Sequence, residues 1–125
     1  MEQFGATPRE RRHAAALRRW GERNLSAVTA IITAILADEP RDFLALKLAQ
    51  YLFLYAGDWR AMRRAIEAAL PAWDEGVPGY GYVLGCHAFS LEECGEYREA
   101  ERAGRRAVEL YPDDIWAGHA VAHVF

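Results

Sequence analysis

His119 and His123 stand four residues apart, and that spacing places both imidazoles on one face of a helix. It is the spacing by which a helix supplies two ligands to a metal ion. Cys86, Phe89 and Glu93 share a face of another predicted helix upstream, with His87 and Glu92 beside them. Two imidazoles from His119 and His123, the Cys86 thiol and the Glu93 carboxylate would make a donor set for zinc or another divalent ion. The competing reading is that the two histidines hydrogen-bond backbone or carboxylates of a neighbouring helix. The pattern lacks the glutamate of H-E-x-x-H, so no metalloprotease-type general base accompanies it. His87 occupies an apolar position, which predicts a buried, hydrogen-bonded imidazole. His13 falls in an Arg-rich first helix and is expected at the surface.

Other chemistry has less to stand on. Ser26 and Ser90 are the only serines, and neither sits in a nucleophile elbow. Cys86 and His87 are adjacent, so on a helix they point about 100° apart and do not face each other. Gly79, Gly81 and Gly85 follow no strand and precede no Lys-Ser/Thr pair, which excludes a phosphate loop. These residues form no catalytic constellation. The chain is expected to be non-catalytic and without a cofactor, the divalent ion aside.

A chain of 125 residues, 52% apolar and 26% charged, is one folded domain with a real core. Its net charge of −3 points away from nucleic acid. Residues 1–70 carry 11 Lys and Arg against 8 Asp and Glu, while residues 71–125 carry 4 against 10. That asymmetry either orders copies head to tail or is drift in a solvated surface. Residues 1–23 have no apolar signal segment, and the uncharged run Asn24–Ala37 is too short to cross a bilayer. Cys86 and Cys94 on one helix would stand about 12 Å apart, beyond disulfide reach. Free thiols fit a cytoplasmic setting.

The positioning elements are all helices. Thr7-Pro8-Arg9-Glu10 reads as a capping box opening a helix to about Trp20, with Ala14, Leu17 and Trp20 at helical spacing. A second helix over 25–38 and a third over 41–56 follow. The third is apolar nearly all round and is expected to be buried. Gly57-Asp58 opens a fourth, to Leu70. Pro71–Gly79 is a loop. Helices over 80–94 and 96–111 precede a last one that Asp113 caps, giving about seven helices. Leu25, Val28, Ile31, Ile32, Ile35 and Leu36 form the inner face of the second, and Met62, Ile66, Ala69 and Leu70 that of the fourth. The domain is 1–125, in pairs 8–38, 41–70 and 80–111 with an unpaired helix over 113–125.

The pairs overlay. Asp42-Phe43-Leu44-Ala45 matches Asp114-Ile115-Trp116-Ala117 at 72 residues, two units of 36, and Gly57-Asp58-Trp59 matches Gly95-Glu96-Tyr97 at 38. A period in the mid-thirties built from helix pairs is the tetratricopeptide repeat signature. Leu84, Ala88, Leu91, Ala100 and Ala107 fall at or near its key positions, where small residues let helices cross closely, while His87 replaces an expected apolar residue and Gly104 the expected aromatic. Arg41–Leu48 (RDFLALKL), Leu70–Phe89 (LPAWDEGVPGYGYVLGCHAF) and Leu91–His123 (LEECGEYREAERAGRRAVELYPDDIWAGHAVAH) resemble the tetratricopeptide repeat protein 38 family, over most of the chain from Arg11 onward. The resemblance implies a right-handed superhelix of antiparallel helix pairs and little about activity. Family members are longer at both ends, so the chain is expected to be a piece or a short relative.

Three expectations follow. The first is a scaffold binding a peptide or protein segment in its concave groove through Tyr82, Phe89, Glu93, Trp116, His119 and His123, with Tyr51 and Tyr55 as further aromatic contacts. The second is the metal site of His119, His123, Cys86 and Glu93. The third is a self-assembling module. Repeat stacks need a polar end, whereas Ile115, Trp116, Val121, Val124 and Phe125 have no helix after them, which predicts a two-fold dimer. Neither nucleic acid nor membrane is expected as a partner.

Overall fold

In the computed structural model, residues 7–113 together with Ile115, Gly118, Val121 and Ala122 are described. Among them are six α-helices and no strand: α1 (Pro8–Gly21), α2 (Leu25–Asp38), α3 (Phe43–Ala56), α4 (Trp59–Ala69), α5 (Tyr80–Glu93) and α6 (Tyr97–Leu110). A single 3-10 turn, Leu70–Ala72, extends α4 into the loop. The expected seventh helix falls mostly outside the described residues; Ile115, Gly118, Val121 and Ala122 of it are helical.

Local sequence fixes the ends. The Thr7 hydroxyl accepts the Glu10 N–H at 3.1 Å while the Glu10 carboxylate accepts the Thr7 N–H at 2.7 Å, closing the capping box. That backbone hydrogen bond, with the Thr7 hydroxyl second, holds the Glu10 carboxyl below its ordinary range. Asn24, Asp42 and Asp58 cap α2, α3 and α4 by accepting the N–H groups of Ala27, Ala45 and Ala61.

Within each pair the turn is the same object three times. Arg23, Gly57 and Gly95 are left-handed, with φ of 59°, 72° and 82°. Each is followed by the N-cap of the next helix, Asn24, Asp58 or Glu96. The N–H of that N-cap reaches back five residues, to the carbonyls of Arg19, Phe53 and Leu91. The left-handed residue itself donates to Trp20, Leu54 or Glu92. This is the Schellman closure, which satisfies helix-end carbonyls that otherwise have no partner. The same closure thus recurs at all three of these turns.

Contacts run between consecutive helices and, more sparsely, from α2 to α4 and from α3 to α5. Odd helices therefore form one layer and even helices the other. The core lies between them: Val28, Ile32, Ile35, Leu46, Met62, Ile66 and Val83 are fully buried. Each such aliphatic side chain contributes about 1.5–3 kcal/mol of burial. Ala45, Ala49, Ala88, Ala100 and Ala107, also buried, keep the crossings close. Leu84 and Ala107, with Tyr80, Val108 and Leu110, make a second small cluster between α5 and α6.

Three expectations are corrected here. Leu17 is 70% exposed, and Ala16 takes the inner position on α1. Helix α3 is not buried all round: Leu44 and Tyr55 are 56% and 82% exposed. It is apolar on two sides because one side meets the core and the other forms an outer stripe. Leu25, read as an inner-face residue, is half exposed at the start of α2. No helix among the described residues is long and apolar enough to cross a membrane.

Candidate functional site

The outer edge of α3 presents the exposed Leu44 and Tyr55 with the partly buried Leu48 and Tyr51 between them, side chains three or four residues apart and so aligned along one face. Tyr51 and Tyr55 stack with ring centres 6.4 Å apart, and the Lys47 ammonium lies 5.5 Å from the Tyr51 centroid. That distance is within cation–π range. One helix over, Tyr82 stands between Phe43 of α3, at 6.2 Å, and Tyr111, stacked at 4.4 Å. Phe43 also meets the Trp73 ring edge-on at 6.5 Å. A row of rings therefore crosses the odd layer from α3 past α5.

Gly81 makes this row fit. A Cβ at that position would overlap the Tyr111 ring and crowd Leu110. The Tyr111 hydroxyl also accepts the Gly79 N–H at 3.3 Å. The loop is fastened on its far side by an Arg106–Glu75 ion pair, and its entry by the Trp73 indole donating to the Pro40 carbonyl at 2.8 Å.

Beneath the stripe lies a polar cluster in an otherwise apolar layer. The Cys86 thiol is 3.4 Å from the Gln50 carboxamide oxygen and 3.7 Å from the Lys47 ammonium. Cys86 and Gln50 are each 1% exposed.

Both described histidines are paired with carboxylates. His87, read as buried and hydrogen-bonded, is half-buried with Nε2 3.1 Å from the Glu67 carboxylate. Glu67 also accepts from Arg63 at 2.7 Å. Burial pushes the Glu67 carboxyl up, but the Arg63 and His87 hydrogen bonds and charges outweigh it and hold it below its ordinary range. His13, read as a surface residue, is instead mostly buried, with Nε2 2.8 Å from Asp42. Asp42 follows the same logic. Burial raises it, and the His13 hydrogen bond, the Ala45 N–H and the His13 and Arg9 charges prevail and lower it.

The residues singled out from the sequence separate. Tyr82 is on the ring row and partly exposed, Tyr51 and Tyr55 are on the stripe, and Glu93 ends α5. Phe89 is 3% exposed and belongs to the core, so it is packing rather than surface. Ile115 is 78% exposed and Val121 lies beside Arg105, Val108 and Glu109 of α6. Trp116, His119, His123, Val124 and Phe125 lie outside the described residues. Among the described residues no three His, Cys, Asp or Glu side chains stand close enough to hold a metal ion, so the described part of the set, Cys86 and Glu93, does not make a site without them. Cys86 and Cys94 are free thiols, as their separation required.

This polar cluster has a signal in the sequence. Lys47 is the only lysine in the chain and, with Gln50, interrupts the apolar α3. A cation and an amide inside such a helix mark a polar cluster.

No protein-family model matches the chain.

Proposed function

We propose that the chain is a tetratricopeptide-type interaction module that binds a peptide or protein segment on the outer, concave face of its odd helices, without catalysis. One observation carries the reading: Leu44 and Tyr55 are 56% and 82% exposed on a helix whose other side is core. An apolar, aromatic stripe kept in water on a regular helix is costly unless something covers it. Tyr51, Tyr82 and Lys47 extend it with rigid rings and one cation. The two free thiols support a reducing, cytoplasmic compartment for this role.

The test is selection of peptides from a random displayed library by the wild-type chain, followed by titration against Leu44→Ala and Tyr55→Ala. A hot-spot contact costs about 2 kcal/mol or more, so selected peptides should bind either variant at least about tenfold more weakly. Peptides that bind the variants as well as the wild type would refute the stripe as the site.

A second reading has its own observation. Ile115 is 78% exposed beyond α6, which supports self-association through the C-terminal helix as a two-fold dimer. Light scattering of the wild type and Ile115→Asp decides it: a dimer that becomes a monomer supports the reading, and a wild-type monomer ends it.

A further inference from the structure

Helix α2 runs from Leu25 to Ala37 without a charged residue, although Ser26, Ala30, Ala34 and Ala37 are exposed. The solvent side of a helix in a folded protein ordinarily carries charge. Beside this face two cavities follow one another, of about 650 Å³ and about 560 Å³. Leu25, Thr29, Thr33 and Leu36 line them at steps of three and four residues, along one side of α2. Phe53 of α3 lines both. Together they make one groove, about 18 Å long by the rise of α2. Its far wall is α4, where Ala61, Ala65 and Ala68 leave room that larger side chains would fill. Trp20, 38% exposed, and Leu25, 50% exposed, stand open at one end.

The walls of the groove decide what can fill it. They are helix sides, whose main-chain groups already pair within the helix. The Thr29 and Thr33 hydroxyls donate to the Leu25 and Thr29 carbonyls at 2.9 Å and 2.8 Å. An extended segment would bury its own N–H and C=O groups there without partners. A helix brings its backbone bonds with it. The charge is set by α4. Arg60 and Arg64, one turn apart, are exposed and have no carboxylate partner among the described residues. Arg63 between them is instead tied to Glu67 and faces Glu96 and Glu99 at the start of α6. Arg64 lines the groove. The acid that lines it, Asp58, is engaged as the α4 cap, accepting the Ala61 N–H at 3.1 Å.

We propose that this groove, on the even-helix side, docks an amphipathic, acidic helix of a partner protein, about three turns long. The apolar stripe of that helix lies along Leu25, Leu36 and Phe53, and its carboxylates meet Arg60 and Arg64. The alanine wall lets the two backbones approach closely. The surface is separate from the α3 stripe of Leu44, Leu48 and Tyr51, and Tyr55 alone of that stripe borders both. Binding at the stripe and binding at the groove are therefore independent events, which lets one chain join two proteins.

The test offers the wild-type chain a displayed library of helices about 12 residues long, one face randomised, and titrates the selected helices against variants. They should carry net negative charge and bind more weakly as salt rises. Arg64→Glu reverses the charge and Ala68→Trp fills the groove, and each should weaken binding at least about tenfold. Leu44→Ala, on the stripe, should leave it unchanged. Circular dichroism checks folding. Arg64 and Ala68 are exposed, and if Ala68→Trp does not fold, Ala37→Trp fills the groove from α2. An empty selection, helices without acidic bias, or binding indifferent to both Arg64→Glu and Ala68→Trp would overturn the proposal. So would binding lost with Leu44→Ala alone, which would place the helices on the stripe. Light scattering covers the remaining occupant. A wild-type dimer that Ala68→Trp turns into a monomer would put a second copy of this chain in the groove and would equally overturn the proposal.

Discussion

His13 on α1 holds its Nε2 2.8 Å from the Asp42 carboxylate, which also caps α3 through the Ala45 N–H. One buried carboxylate therefore starts a helix of the second pair and fastens it to the first. Replacing it with alanine removes a cap, worth about 1 kcal/mol, and strands a half-buried imidazole. Asp42→Ala should lose about 2–4 kcal/mol in urea unfolding, from the cap and a charged hydrogen bond together. Asp42→Asn keeps the cap and should lose less.

The same carboxylate sets a pH dependence. Asp42 and Glu67 both lie below their ordinary range in the folded chain. A carboxyl lowered by folding contributes stability that is complete above its unfolded pKa, about 4, and lost as pH falls through the folded value. Melting temperatures measured between about pH 6 and pH 2 should therefore fall in the acid range. The gap between wild type and Asp42→Asn should close there. A gap constant down to the acid limit would contradict the linkage.

Arg23 occupies the left-handed position that Gly57 and Gly95 hold in the other two turns. A side chain there is strained, by about 1 kcal/mol. Arg23→Gly should be neutral to stabilising, by up to about 1 kcal/mol, whereas Gly57→Ala and Gly95→Ala should each destabilise by about 1 kcal/mol. Denaturant midpoints at unchanged slope give the answer.

The helices and the caps of the first four were legible in the sequence because capping boxes, Gly-Asp turns and apolar spacing act within a few residues. What eluded it was which apolar face meets water. Leu17 and Leu44 carry the same chemistry as Ile32 and Leu46, and only the layer arrangement sends the first two outward. His13 illustrates the same limit. Its neighbours are arginines, and its partner lies twenty-nine residues away across a helix pair. The Gln50 and Cys86 contact spans thirty-six residues, so no local pattern announces it.

Gly81 lies against the Tyr111 ring, and a methyl group there has no room. Gly81→Ala should cost about 1–3 kcal/mol from overpacking and should unstack Tyr82 from Tyr111. Thermal unfolding together with near-ultraviolet circular dichroism reads both effects. Tyr55→Ala, on the exposed stripe, should move stability by no more than about 0.5 kcal/mol. Leu46→Ala, in the core, should cost about 2–5 kcal/mol.

Trp73 bonds to the Pro40 carbonyl while Arg41 Nε donates to the Ala72 carbonyl at 2.7 Å. The chain entering the second pair is thereby buckled to the chain leaving it. Under a stretching force, tension entering at Pro40 leaves at Trp73 through the clasp and largely bypasses α3 and α4. The first and third pairs would pay out their length first, and the middle pair would stay shut until the buckle ruptured.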